Sequence, residues 1–172
     1  SSEVRKKLLA SGNKEYDIKE LKLNKQEIEL FKNQNIKGNS YWLEAELNVN
    51  PGAVAGFKIA QNFDKNNNKI SETIIGYDAS KHQLFVDRSD LANGKIRKGF
   101  EVQAINLENS GSSIKLELLF DKSSLEIFIN NGEQVLTTQL FPEENANRLS
   151  AFAKDGNAEI RSLKLWDLSK FK

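Results

Sequence analysis

Between Ile114 and Pro142 apolar and polar residues alternate so regularly that only an extended backbone accounts for the pattern. Ile114, Leu116, Leu118 and Phe120 share one side, with Lys115 and Glu117 opposite, because successive strand side chains point to opposite faces. Asp121-Lys122-Ser123 makes a turn. Leu125, Ile127 and Ile129 then share a face, with Glu126 on the other. Asn131-Gly132 accepts positive φ at both positions, so it predicts a two-residue hairpin turn into Glu133–Leu140. Strands wetted on one face and apolar on the other need a second layer to cover them.

The rest of the chain supplies that layer. Tyr41, Leu43, Ala45, Leu47 and Val49 face one way, and Trp42, Glu44, Glu46 and Asn48 the other. Residues 15–23 alternate but lose parity near Glu20, and 27–31 form a second short strand. Strands follow over 55–61, 71–78, 82–88, 102–107, 148–153 and 158–167, separated by Gly-, Asn- and Asp-rich turns. Apolar parity shifts between Ile160 and Leu163, which predicts a bulge near Arg161 and Ser162. About twelve short strands with no helix between them predict an all-β fold, a two-sheet antiparallel β-sandwich. Its interior is expected to hold Leu43, Leu47, Phe57, Ile75, Tyr77, Leu116, Leu118, Phe120, Leu125, Ile127 and Ile129. Ahead of it, residues 1–14 read as a short N-terminal helix and connector, capped by Ser2, with Val4, Leu8 and Leu9 along one side. That piece either leads in from a preceding domain or packs on the sandwich, which takes residues 15–172.

Composition removes several function classes. Basic and acidic side chains number 25 and 24, so no charge excess points to nucleic acid or an anionic membrane. No apolar run approaches the ~20 residues that span a bilayer as a helix. Without Cys there is no disulfide, thiol catalysis or Cys-ligated metal. Without Met the chain is expected to be a processed protein or a piece of a longer one. Asp64, Asn66 and Asn68 have the opening spacing of a calcium loop. Lys69 stands where Gly is needed and Ile75 where the closing Glu is needed, so a hairpin loop is expected there and no metal or cofactor. His82, the only His, sits in a polar turn with no nucleophile motif beside it and reads as a surface residue.

Three blocks resemble one family. The runs DKSSLEIFINNGEQVLTTQLFP (121–142), ETIIGYDASKHQLFVDRSD (72–90) and SAFAKDGNAEIRSLKLWDL (150–168) are similar to the C-terminal β-sandwich domain of glycoside hydrolase family 32, the invertases, levanases and inulinases. The resemblance implies a concanavalin-like jelly roll. In that family the chemistry sits in an N-terminal five-bladed propeller with Asp-Pro-Asn, Arg-Asp-Pro and Glu-Cys motifs. Here the only prolines are Pro51 and Pro142, neither follows Asp, and Cys is absent. The resemblance therefore implies a non-catalytic accessory domain that lacks its propeller partner. Such a domain would buttress the propeller through one sheet and the N-terminal connector. The alternative is a carbohydrate-binding module for terminal β-fructosyl units of fructan. Secreted, periplasmic and cell-surface locations are all implied.

No catalytic residue is expected, and sugar recognition is the chemistry to look for. It combines carboxylates, a guanidinium able to donate parallel bonds, and an aromatic face. Asp87 and Arg88 supply the first two at a strand end, with Glu72 on the strand paired to it. Asp121 and Glu126 belong to another of the three blocks, and Trp42 is expected to face outward beside Glu44 and Glu46. Each also has a structural reading. Asp87 and Arg88 can fix their hairpin by salt bridges, Asp121 can cap its turn, and the N-terminal helix can cover Trp42.

Overall fold

The computed structural model describes residues 3, 6–7, 10–34, 36–91, 96–108 and 110–169. Thirteen strands are described: β1 (Glu15–Ile18), β2 (Leu21–Asn24), β3 (Glu27–Glu29), β4 (Ser40–Val49), β5 (Val54–Phe63), β6 (Lys69–Asp78), β7 (Gln83–Asp87), β8 (Val102–Asn106), β9 (Ser113–Asp121), β10 (Ser124–Ile129), β11 (Gln134–Gln139), β12 (Arg148–Lys154) and β13 (Asn157–Asp167). One sheet runs β1-β13-β4-β9-β10-β11, with β2 also on β13; the other runs β3-β12-β5-β6-β7-β8. Neighbours pair antiparallel throughout. This is the two-sheet sandwich that the alternation predicts.

The inner faces form one core. Every residue expected inside it is exposed by 1% or less. The parity loss near Glu20 divides β1 from β2, and the bulge of β13 explains why. Ile18 pairs Leu163 and Leu21 pairs Ile160, on either side of a register shift between Ile160 and Ser162. The extra residue in β13 and the break between β1 and β2 are two views of one irregularity.

One expectation changes at the level of a turn. The β10–β11 loop is not two residues but four, because Ile129 pairs Gln134 and Asn130 takes φ 50 ahead of Asn131 and Gly132. The Asn130 side chain accepts from Lys115 N at 3.0 Å and donates to Ser110 Oγ at 2.9 Å, which holds that backbone in place. At the N-terminus only part of the expected helix lies among the described residues, and its capping Ser2 lies outside them. Glu3, Lys6, Lys7 and Ala10 have helical backbone, while Val4, Leu8 and Leu9 lie outside the described residues. Among the described residues no helix is long and apolar enough to cross a membrane.

The centre of the six-stranded sheet is unusually bare. Gly56 on β5 pairs Gly76 on β6, flanked by Phe152 on β12 and Phe85 on β7. A Cβ on Gly56 would lie 2.0 Å from the Ile75 carbonyl oxygen, a backbone atom that cannot step aside. Gly56→Ala is therefore expected to lose about 1–3 kcal/mol by overpacking. Gly132→Ala, where a Cβ meets nothing within 4 Å, should cost only the left-handed backbone, about 1–2 kcal/mol. Thermal denaturation of both variants checks this; a Gly56→Ala protein that melts with wild type would refute the close approach.

Candidate functional site

A second bulge builds a buried polar network on the six-stranded sheet. Simple alternation along β5 would put Gln61 on the core side with Phe57 and Ile59. Ala60 instead takes φ 49, and the β5–β6 register shifts between Ile59 and Asn62. Bulges of this kind re-aim the side chain that follows. Gln61 is delivered to the outer face, next to Glu72 on β6. Its Nε2 donates to Glu72 Oε1 at 3.1 Å and reaches Glu27 Oε2 at 3.4 Å, while its Oε1 accepts from Ser150 Oγ at 2.6 Å.

Glu72 is 3% exposed, and a carboxylate taken that far out of water persists only if fully partnered. Both its oxygens are used. Lys69 Nζ lies 3.0 Å from Oε2 and Lys58 Nζ 3.6 Å from it. Lys58 also meets Glu27 at 2.6 Å, and Lys69 meets Asp90 at 2.9 Å. The Asp90 hydrogen bond is the largest influence holding the Lys69 ammonium above its ordinary pKa, with Glu72 adding to it and partial burial opposing. Beside this network opens a shallow cleft of about 280 Å³, whose lining includes Glu27, Lys58, Ile74, Phe85, Asp87 and Phe152.

The six residues singled out for sugar recognition separate. Glu72 and Asp87 share the outer face of the six-stranded sheet, where Asp87 pairs Ile74 and lines the cleft. Trp42 and Glu126 lie on the opposite outer face, one row through Leu119. There Trp42 joins a separate apolar cluster with Trp166, stacks on Phe128 at 5.8 Å and donates to Glu44 Oε1 at 3.4 Å. Asp121 is exposed at its turn and accepts from Ser40 Oγ at 3.1 Å. Arg88 has the parity of Leu84 and Val86, so it points between the sheets. Its Nη1 donates to the Gln139 carbonyl of β11 at 2.8 Å and its Nη2 to the Phe100 carbonyl. The guanidinium thus ties the end of β7 to the other sheet.

The calcium-like loop turns its carboxylate onto itself. Asp64 Oδ1 accepts from Asn66 N at 2.8 Å and Asn68 N at 2.9 Å, and Oδ2 from Asn68 Nδ2 at 3.4 Å. The Asn68 backbone bond is the main reason its pKa lies below the usual range. His82 is exposed at φ 50, with its Nδ1 3.4 Å from the Tyr77 hydroxyl. Sequence reasoning missed Gln61, Lys58, Glu27, Phe85 and the Lys69–Asp90 pair. A polar Gln on the parity of Phe57 and Ile59 was the one available signal.

The model for the C-terminal domain of family 32 glycosyl hydrolases matches residues 4–167. The chain belongs to this family. A levanase of Bacillus subtilis (strain 168) is 32% identical over 135 residues, which are 77% of this chain and 19% of the levanase. An extracellular exo-inulinase of Aspergillus awamori is 31% identical over 94 residues, 54% of this chain and 18% of that protein. The chain thus spans about a fifth of these relatives' length. In fold it is similar to a fructosyltransferase from A. japonicus, with a TM-score of 0.75 at 19% identity over 94% of this chain and 27% of that one.

Family membership makes the Arg88 tie worth testing by stability. Arg88→Ala removes two charge-assisted bonds and leaves two carbonyls without a donor, so it is expected to cost about 2–5 kcal/mol. Arg88→Lys should recover only part, since one ammonium cannot copy the fork. Urea denaturation measures both; wild-type stability in Arg88→Ala would show that the tie carries nothing.

Proposed function

We propose that this chain is a non-catalytic accessory β-sandwich domain of a glycoside hydrolase that acts on fructan or sucrose. It works beside a propeller domain that carries the chemistry. The observation that carries this reading is one of proportion: the family model takes in 4–167, yet the chain spans only 19% of the levanase. The sequence adds support, since Asp-Pro-Asn, Arg-Asp-Pro and Glu-Cys are all absent from it. The names of the relatives, levanase and extracellular exo-inulinase, favour fructan as the polymer and a secreted or cell-surface setting.

A second reading, a carbohydrate-binding module for β-fructosyl units, is favoured by the cleft beside Glu72. Sheet faces that serve only as walls have no need of a cleft rimmed by Asp87, Lys58 and two phenylalanines. Glu72 supports the rim from below, and Asp87 belongs to it. On the opposite face Glu126 and Trp42 remain candidates, as does Asp121 at its turn. Arg88 enters this reading only through the loop it anchors.

Isothermal titration of the chain with levan, inulin and sucrose, with released fructose assayed in parallel, tests both readings. Neither heat nor fructose is expected if the domain is an accessory alone, and saturable heat without fructose if it also binds. Fructose released by the purified chain would overturn the non-catalytic reading.

A further inference from the structure

Phe85 lies where an aromatic ring can face solvent flat. Its partner across the ladder is Gly76, and a Cβ built there would fall 2.5, 2.8 and 3.3 Å from the Phe85 Cζ, Cε1 and Cε2 atoms. The ring therefore occupies the space that a side chain at 76 would take, lying down over the strand. Gly56 beyond it is equally bare, and Phe152 closes the far side with the Lys58 ammonium 5.4 Å from its ring centre. Unlike Phe152, which is buried, Phe85 is only partly covered.

The rim carries both signs of charge. Lys58 and Glu27 are already paired at 2.6 Å. Asp87 Oδ1 accepts from the Ser89 amide and hydroxyl, and among the described residues its Oδ2 accepts no hydrogen bond. Lys25 and Lys154 also line the cleft, so three ammonium groups and two carboxylates surround it, donors and acceptors that a ligand rich in hydroxyls can use together. The cleft, about 280 Å³, falls just below the ~300–1,000 Å³ that hold drug-sized molecules. A π face, a rim of donors and acceptors and a small volume together fit one saccharide ring.

We propose that the outer face of the six-stranded sheet is a saccharide subsite in which Phe85 is the stacking platform and Asp87 and Lys58 bond the ring hydroxyls. This rests on the sugar-binding reading above, and names the site and the ring-stacked mode of binding. The Gly56–Gly76 pair is then a requirement of the site as well as of the sheet, since side chains there would lift the ring or fill the floor.

The test is amide chemical-shift perturbation of the isotope-labelled 172-residue chain, titrated with fructose, a levan oligosaccharide, sucrose and glucose. The levan oligosaccharide is expected to shift the amides of Gly56, Gly76, Phe85 and Asp87 saturably. Phe85→Ala should weaken it roughly tenfold or more, and Phe85→Tyr, which keeps the ring, should bind as wild type. Should Phe85→Ala not fold, Asp87→Asn at the rim reads the same site through a smaller loss. Fructans that shift only amides elsewhere, such as those around Trp42, overturn the subsite and leave the sugar-binding reading standing. Glucose binding at Phe85 with no fructosyl sugar bound keeps the subsite and removes fructan as its ligand. No shift with any of the four sugars overturns the subsite and the binding reading, and leaves the accessory-domain reading intact.

Discussion

Two antiparallel sheets, each apolar on one face, can leave water only by covering each other, and the rest of this molecule follows from that burial. Tyr41, Phe57, Tyr77 and Phe120 fill the space between them, with Tyr41 and Phe120 meeting edge to face at 5.5 Å. Once the inner faces are committed, residues of opposite parity are released from the core. The two outer faces can then differ, and they do. One carries the Trp42–Phe128 stack and Trp166; the other carries a buried carboxylate, a glycine pair and a cleft.

The polar face is held by a costly arrangement. Removing a carboxylate from water costs several kcal/mol, which ion pairing repays only with good geometry. Glu72 meets that condition through Gln61, Lys69 and Lys58, three partners from two strands. An apolar residue of similar volume could fill the same place without this expense. The network thus contributes position more than stability. It fixes Lys58 between Glu27 and Glu72, and so fixes the ammonium over Phe152. Without the Ala60 bulge Gln61 would face the core, and the network would lack its central amide.

Period-two alternation made the interior legible, which is why Leu43, Ile75, Leu118 and Ile127 were all readable as core. The β13 bulge was legible for the same reason: Ile160 and Leu163 cannot share a face unless a residue is inserted between them. The β5 bulge was harder, because its mark is a single Gln on the core parity. Arg88 could have been placed by parity with Leu84 and Val86, but its charge suggested the surface. The network was not readable at all. Gln61 and Ser150 are 89 residues apart, and they meet only because β12 lies beside β5. Alternation says which face a residue takes and nothing about which strand is its neighbour.

The proposed subsite also bears on how its two functional readings relate. A single sugar ring has about a dozen heavy atoms. At the ~0.3 kcal/mol per atom usual for ordinary ligands, it gains only about 4 kcal/mol, a Kd of roughly millimolar. An open cleft cannot do much better, because it leaves one side of the ring in water. Free in solution, so weak a site would hold little ligand. Joined to a catalytic domain on the same chain, it acts at the effective concentration that the linkage sets, and weak contacts then add to those of the active site. A polymer such as levan presents many equivalent rings, so dissociation from one is followed by capture of the next. On these magnitudes the proposed subsite on Phe85 gains most where the domain accompanies an enzyme. The binding reading then adds to the accessory one and does not replace it.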